Sequence, residues 1–102
     1  MAVSTITLAE LRYGIAKSQR REANRRAFQQ ALETITAVPF DARAAERYGT
    51  VRAELEVMGR PIGPLDTLIA AHALSLDLTL VTSNEREFAR VRRLRVENWV
   101  PA

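Results

Sequence analysis

The sequence predicts an α/β fold with a largely parallel sheet flanked by helices. Short β-rich runs alternate with amphipathic segments along the chain, and this alternation is typical of layered α/β proteins. The length of 102 residues suits a single domain. A composition of 47% hydrophobic and 26% charged residues is that of a globular chain. We therefore expect one α/β domain over residues 1–102.

The first forty residues carry two predicted helices between extended segments. Residues 2–4 are expected to end a strand, and a helix is expected from Thr5 to Ser18. Its apolar stripe consists of Leu8, Leu11 and Ile15. A second, basic helix is expected over residues 21–36, followed by a short extended segment at residues 37–40.

A third helix is expected to begin after Asp41, whose carboxylate is suited to cap it. The apolar positions of this helix recur at helical spacing, at Ala44, Tyr48, Val51, Leu55 and Met58. Gly59 is expected to stop the helix, and residues 60–63 read as a loop.

Pro64 stands where the first residue of a fourth helix should be. The apolar stripe of this helix is expected at Leu65, Leu68, Ile69, His72, Ala73 and Leu76. Residues 78–82 are predicted as a strand, residues 84–89 as a short helical turn and residues 94–97 as a second strand.

Composition excludes several kinds of chemistry. The chain has no cysteine and one histidine, so thiolate nucleophiles, cysteine or histidine zinc sites and a Ser-His-Asp triad are ruled out. Any metal must be bound by oxygen ligands. No apolar run approaches the ~18 residues of a membrane helix and the first residues do not read as a signal peptide, so we expect a cytoplasmic protein without a membrane partner.

Two carboxylates stand out as candidate site residues. Glu10 has Ile6, Tyr13 and Gly14 as helical neighbours, where a solvated glutamate more often has charged ones. Asp66 lies in the first turn after Pro64. A carboxylate there either interacts favourably with the positive end of the helix dipole or supplies an oxygen ligand to a hydrated Mg²⁺. For both residues an ordinary structural role and a functional one remain open on spacing alone.

Histidine and arginine offer weaker candidates. His72 lies inside an apolar stripe, which favours a structural, hydrogen-bonded and partly buried side chain over a catalytic one. Five arginines fall within ten residues near the carboxyl terminus, at positions 86, 90, 92, 93 and 95. They could follow a phosphate backbone or be simply solvated.

Three stretches together resemble a known family. They are residues 4–14 (STITLAELRYG), residues 61–73 (PIGPLDTLIAAHA) and residues 80–88 (LVTSNEREF), the last followed by Val96-Glu97-Asn98-Trp99. In this order and spacing they resemble the PIN-domain ribonucleases, and most of all the VapC-type toxins of bacterial toxin–antitoxin pairs. The resemblance covers the whole chain, which makes it more specific than any one motif.

The resemblance implies a metal-dependent endoribonuclease that uses Mg²⁺ or Mn²⁺. The positions that match the family's acidic residues are Glu10 and Asp66, which would be catalytic and hold the metal. Asn84 stands at the family's fourth acidic position and would be an auxiliary polar group. A bound metal lowers the pKa of its water and neutralises phosphoryl charge, so the chemistry requires neither Cys nor His. The implied partners are an RNA substrate, a cognate antitoxin and a second copy of the chain.

The family also begins with an apolar strand that ends in Leu-Asp-Thr-Asn and carries its first metal ligand. These 102 residues start after that segment, so the resemblance implies an N-terminally truncated, partial PIN-like domain. Two alternatives follow. One is a non-catalytic PIN-like module that binds an antitoxin or self-associates. The other is an arginine-rich RNA binder without chemistry.

Overall fold

Two parallel strand pairs organise the chain, one in each of two structural units. A computed structural model describes residues 2–17, 22, 26–27, 29–30, 33–82 and 84–98. The first unit comprises residues 1–39 and the second residues 40–102. Among the described residues, no helix is both long enough and apolar enough to cross a membrane.

In the first unit, strand β1 (Ala2–Ser4) lies parallel to strand β2 (Thr36–Val38), with Val3 opposite Ala37. Helix α1 (Thr5–Lys17) follows β1 without a loop. The Ser4 hydroxyl accepts a hydrogen bond from the Ile6 N–H at 3.1 Å, so it satisfies one of the free donors at the start of α1. The predicted strand, helix and parallel pairing are confirmed.

Two expectations for this unit need comment. Of the basic helix expected at 21–36, seven residues lie outside the described ones, and residues 22, 26–27 and 29–30 are helical; its predicted end is wrong because 33–34 form a turn and Thr36 already belongs to β2. On α1, Leu8 is half-buried whereas Leu11 is exposed, and the side chain of Ile15 lies outside the described residues. The predicted apolar stripe is therefore confirmed at Leu8 and wrong at Leu11.

In the second unit, helix α2 (Ala42–Val57) packs against helix α3 (Pro64–Ser75). Asp41 caps α2 as predicted, since its Oδ1 accepts a hydrogen bond from the Ala44 N–H at 3.0 Å. The chain leaves α2 through Gly59, whose φ of +67° is a conformation that glycine adopts without strain. The buried apolar residues of this unit are Ala44, Val51, Leu55, Ile69, Ala70, Ala71, Phe88 and Val91.

Helix α3 begins at Pro64 as predicted, but its expected apolar stripe is wrong at both ends. Leu65 and Leu76 are exposed, whereas the four consecutive residues 69–72 are all buried, together with Thr67. Four consecutive residues cover most of the circumference of a helix. The middle of α3 is therefore enclosed on all sides, and a one-sided periodicity cannot describe it.

The second strand pair consists of β3 (Leu80–Thr82) and β4 (Val96–Asn98), which are parallel, with Val81 opposite Glu97. Helix α4 (Glu85–Phe88) starts three residues after β3 ends, and its last residue, Phe88, is buried. These elements match the predicted ones within a few residues. The carboxyl end of β3 thus leads directly into the residues that face the start of α3.

Replacing Asp41 tests the cap of α2. Asp41→Ala removes the side-chain acceptor and should lower the free energy of unfolding by about 1 kcal/mol. Asp41→Asn retains an acceptor oxygen and should stay close to the wild type. Urea denaturation followed by circular dichroism measures both variants, and an equal loss in both would show that the hydrogen bond is not the stabilising interaction.

Candidate active site

Asp66 lies half-buried in the first turn of α3, next to the loop that ends at Gly63. The Gly63 carbonyl accepts hydrogen bonds from the Thr67 N–H at 2.9 Å and from the Thr67 hydroxyl at 2.8 Å. These bonds fix the loop to the first turn of the helix. The N-terminal end of a helix carries partial positive charge, which favours the ionised form of a carboxylate placed there.

Glu87, on α4, connects this loop to the end of β3. Its Oε1 accepts a hydrogen bond from the Gly63 N–H at 2.9 Å, and its Oε2 accepts one from the Asn84 side-chain amide at 2.6 Å. A parallel link is made by Arg90, whose Nη1 donates to the Pro61 carbonyl at 3.1 Å. The loop and α4, 24 residues apart in sequence at Gly63 and Glu87, are therefore held in one place.

The carboxyl groups of Asp66 and Glu87 are hydrogen-bonded to each other. The surroundings lower the pKa of Glu87: the Gly63 N–H contributes most and the Asp66 hydrogen bond next, while partial burial acts in the opposite direction. A hydrogen bond between two carboxyl groups requires one shared proton, because two carboxylates in contact repel. The site thus has a place for one positive charge, which a proton or a metal cation can supply.

Gly63 leaves space beside this pair. A Cβ at position 63 would lie 3.7 Å from Asp66 Oδ2 and 3.8 Å from Glu87 Oε1. The backbone there, at φ −55° and ψ 149°, is open to any residue, so the glycine is not required by its own conformation. With glycine at this position, no Cβ lies against the two carboxylate oxygens.

Asn84, the predicted auxiliary polar group, lies at this site and is exposed. Its backbone N–H donates to the Thr82 hydroxyl at 3.0 Å, and its amide donates to Glu87. Asn84 therefore orients a carboxylate and adds no negative charge. The neighbouring Ser83 lies outside the described residues.

Glu10, the other predicted ligand, lies in the first unit on α1, where its side chain is exposed. Nearby on the same helix, Tyr13 is 66% exposed and the Lys17 ammonium lies 5.9 Å from its ring centre. An exposed carboxylate is accessible to a metal and to solvent alike. The pairing of Glu10 with Asp66 as metal ligands stays a prediction. Among the residues that the structure describes, no group of three or more His, Cys, Asp or Glu could by itself hold a metal.

The side chain of His72 is buried, more completely than the partial burial that the sequence predicts, and its structural role stays a prediction. It is 2% exposed, and its ring meets Phe40 edge-on with the ring centres 5.4 Å apart. Two of the five clustered arginines also make structural contacts: Arg90 binds the Pro61 carbonyl, and Arg95 donates to the Asp77 carbonyl at 2.6 Å.

The sequence analysis did not assign Glu87 to the site. The signal was local, since residues three apart on a helical turn face the same side and Asn84 and Glu87 have this spacing. The decisive contact, however, is with Gly63, which lies far away in the sequence. Residues that approach only through folding leave no periodic trace in the chain.

Comparison with known proteins gives consistent results. The model of the family described as PIN domain matches residues 1–94. The tRNA(fMet)-specific endonuclease VapC of Shigella flexneri is 48% identical over 99 residues, which are 97% of this chain and 75% of that protein. Ribonuclease VapC2 of Rickettsia felis is 43% identical over 99 residues, 97% of this chain and 74% of its own length. The structure of VapBC2 from Rickettsia felis bound to a promoter DNA fragment has a TM-score of 0.92 at 43% identity, covering 97% of this chain and 74% of that one.

The hydrogen bonds to Glu87 can be tested by titration. Asn84→Ala removes one donor, so the pKa of Glu87 should rise towards its ordinary value, although the larger contribution of the Gly63 N–H remains. Carbon-13 NMR of the side-chain carboxyl groups, recorded against pH with EDTA present, measures this shift. Arg86→Ala changes a nearby charge without touching the hydrogen bonds and should leave the pKa of Glu87 in place. A pKa that does not move in Asn84→Ala would contradict the assignment of the donor.

Proposed function

The chain belongs to the PIN-domain family, and from this premise we propose that it acts as an endoribonuclease of the VapC toxin type. Its relatives are named ribonucleases and endonucleases, and the chain spans about three quarters of their length. The observation that carries the proposal is the Asp66–Glu87 pair beside Gly63, where two carboxyl groups meet and the Asn84 amide donates to one of them. We propose further that residues 1–102 are part of one PIN domain, since the family match extends across both units.

VapC ribonucleases depend on a divalent metal, and the Asp66–Glu87 pair fits one. Hard cations such as Mg²⁺ and Mn²⁺ prefer carboxylate oxygens, and Mg²⁺ commonly keeps several waters beside one or two carboxylates. We propose Mg²⁺ or Mn²⁺ as the cofactor. Asp66 and Glu87 would hold it, and Glu10, the other ligand that the family resemblance implies, stays a prediction. When bound, the metal lowers the pKa of a coordinated water and neutralises charge on the phosphodiester.

The side chains around the metal have separate roles in this proposal. Asp66 and Glu87 would present carboxylate oxygens to the metal, and the helix dipole at the start of α3 favours negative charge at this position. Asn84 and the Gly63 N–H hold Glu87 in one rotamer, which limits the number of arrangements that the pair can adopt. Asp66 and Glu87 share a proton without metal, so metal binding should release it.

We also propose the partners of this enzyme. The substrate is RNA, the cognate partner is an antitoxin, as the VapBC structures that resemble this chain suggest, and the enzyme forms a homodimer. We propose a cytoplasmic location, which suits an RNA substrate and an antitoxin partner. The nuclease is a better interpretation than a non-catalytic module that binds only the antitoxin, because the relatives are named ribonucleases and endonucleases.

Cleavage of single-stranded RNA or tRNA tests the catalytic proposal. We expect cleavage with Mg²⁺ or Mn²⁺ and none with EDTA. Glu10→Gln, Asp66→Asn and Glu87→Gln should each lower the rate by about 100-fold or more, since even the outer partners of metal ligands are worth about 10–100-fold. Glu54→Gln, an exposed carboxylate on α2, is the matched control and should retain activity. Cleavage that survives EDTA, or that all three variants retain, would sink the proposal.

Metal binding can be measured without catalysis. Titration of the wild type with Mn²⁺, followed by isothermal calorimetry in two buffers of different ionisation enthalpy, should show binding with release of a proton. Glu87→Gln should weaken binding by about ten-fold or more and abolish the proton release. Binding of equal affinity in this variant, with unchanged proton release, would exclude Glu87 as a ligand.

A further inference from the structure

A cavity of about 250 Å³ lies in the second unit, and part of its lining comes from the chain neighbours of candidate-site residues. It is lined by Tyr48, Arg52 and Glu56 from α2, by Pro61 and Ile62 from the loop, and by Pro64 and Thr67 from α3. Ile62 and Pro64 are the chain neighbours of Gly63, and Thr67 follows Asp66. One short stretch of chain, residues 61–67, therefore contributes both to the cavity lining and to the candidate site.

One side of the cavity is lined by the Arg52 guanidinium group, which two hydrogen bonds hold in place. Arg52 Nε donates to Glu56 Oε1 at 2.8 Å, and Arg52 Nη1 donates to the Tyr48 hydroxyl at 3.1 Å. All three residues lie one turn apart along α2, so the helix itself sets their spacing. The Arg52 side chain is still 61% exposed, which leaves N–H donors and a planar face open to a ligand.

The remaining lining is mostly apolar, from the rings of Pro61 and Pro64, the Ile62 side chain and the half-buried Tyr48. We propose that this cavity binds one base of the RNA substrate next to the phosphodiester that is cleaved. The proposal rests on the proposed ribonuclease function. It assigns Tyr48 and Arg52 to substrate binding, outside the carboxylate site.

The chemistry of a nucleobase matches the cavity better than that of an aliphatic side chain. A base has apolar faces, which stack on aromatic rings and on guanidinium planes, and a polar edge, which accepts and donates hydrogen bonds. An aliphatic group would cover Arg52 and Glu56 without replacing the water that they lose. The volume is below the ~300–1,000 Å³ of pockets for drug-sized ligands and suits a single ring system.

Abasic RNA tests the proposal without altering the protein. The full chain is titrated, in EDTA and at constant ionic strength, with a short fluorescein-labelled RNA strand and with a series that lacks the base at one position at a time. Fluorescence anisotropy should show one position at which loss of the base weakens binding by about ten-fold, the usual effect of losing a stacked base. Equal affinities across the series would overturn the base site.

Protein variants locate the effect. In Tyr48→Ala and Arg52→Ala, removing the same base from the RNA should weaken binding little further, because the protein group that contacts this base is already absent. Tyr48→Phe retains the ring and should retain the discrimination. Arg47→Ala removes one charge from the same helix outside this cavity, so it should weaken all strands alike. Thermal unfolding verifies that each variant is folded.

The outcomes separate this proposal from the nuclease itself. Metal-dependent cleavage without any abasic discrimination overturns the base site and leaves the proposed function intact. Discrimination that depends on Tyr48 without cleavage supports the base site and contradicts the nuclease. If Tyr48→Ala binds and discriminates RNA as the wild type does but weakens binding of an antitoxin peptide, the cavity receives a protein side chain and the proposal is wrong.

Discussion

The contact on which the candidate site depends is the hydrogen bond from the Gly63 N–H to Glu87. It joins the loop before α3 to the helical turn after β3, and no periodic pattern links the two segments. Once it is made, Asp66 is brought against Glu87, and Asn84 takes the second oxygen of the same carboxylate. A hydrogen bond to a charged group contributes more than one between neutral groups. One carboxylate therefore serves both the fold and the site.

This double role has a chemical consequence. A carboxylate that only joined two segments could be replaced by an amide with modest loss, since the amide oxygen also accepts from an N–H. Glu87 also contacts Asp66, and two ionised carboxylates in contact require a positive charge, from a proton or a metal ion, to offset their repulsion. In a chain without cysteine and with its one histidine buried at Phe40, carboxylates are the groups left to bind a metal. The composition and the contact thus point to the same chemistry.

The sequence predicted well what local rules determine. Asp41 as a cap, Pro64 as a first helical residue and the short strands follow from the preferences of single residues and their near neighbours. It failed where tertiary packing decides: Leu65 and Leu76 at the ends of α3 are exposed, whereas residues 69–72 at its middle are buried. Glu87 went unassigned for the same reason, since its main partner is 24 residues away. Asp66 and Asn84 could be found because a family resemblance records contacts that spacing does not.

The position of the cavity relative to the carboxylates adds a constraint on catalysis. Residues 61–67 contribute to both, with Gly63 and Asp66 at the carboxylate pair and Ile62, Pro64 and Thr67 at the cavity. Two prolines and the Thr67 hydrogen bonds to Gly63 stiffen this segment, so a base in the cavity would have a fixed relation to the carboxylates. Orientation of this kind accelerates a reaction only if the reacting groups are held within a few tenths of an ångström. A segment shared by two sites supplies that precision more directly than two independent loops could.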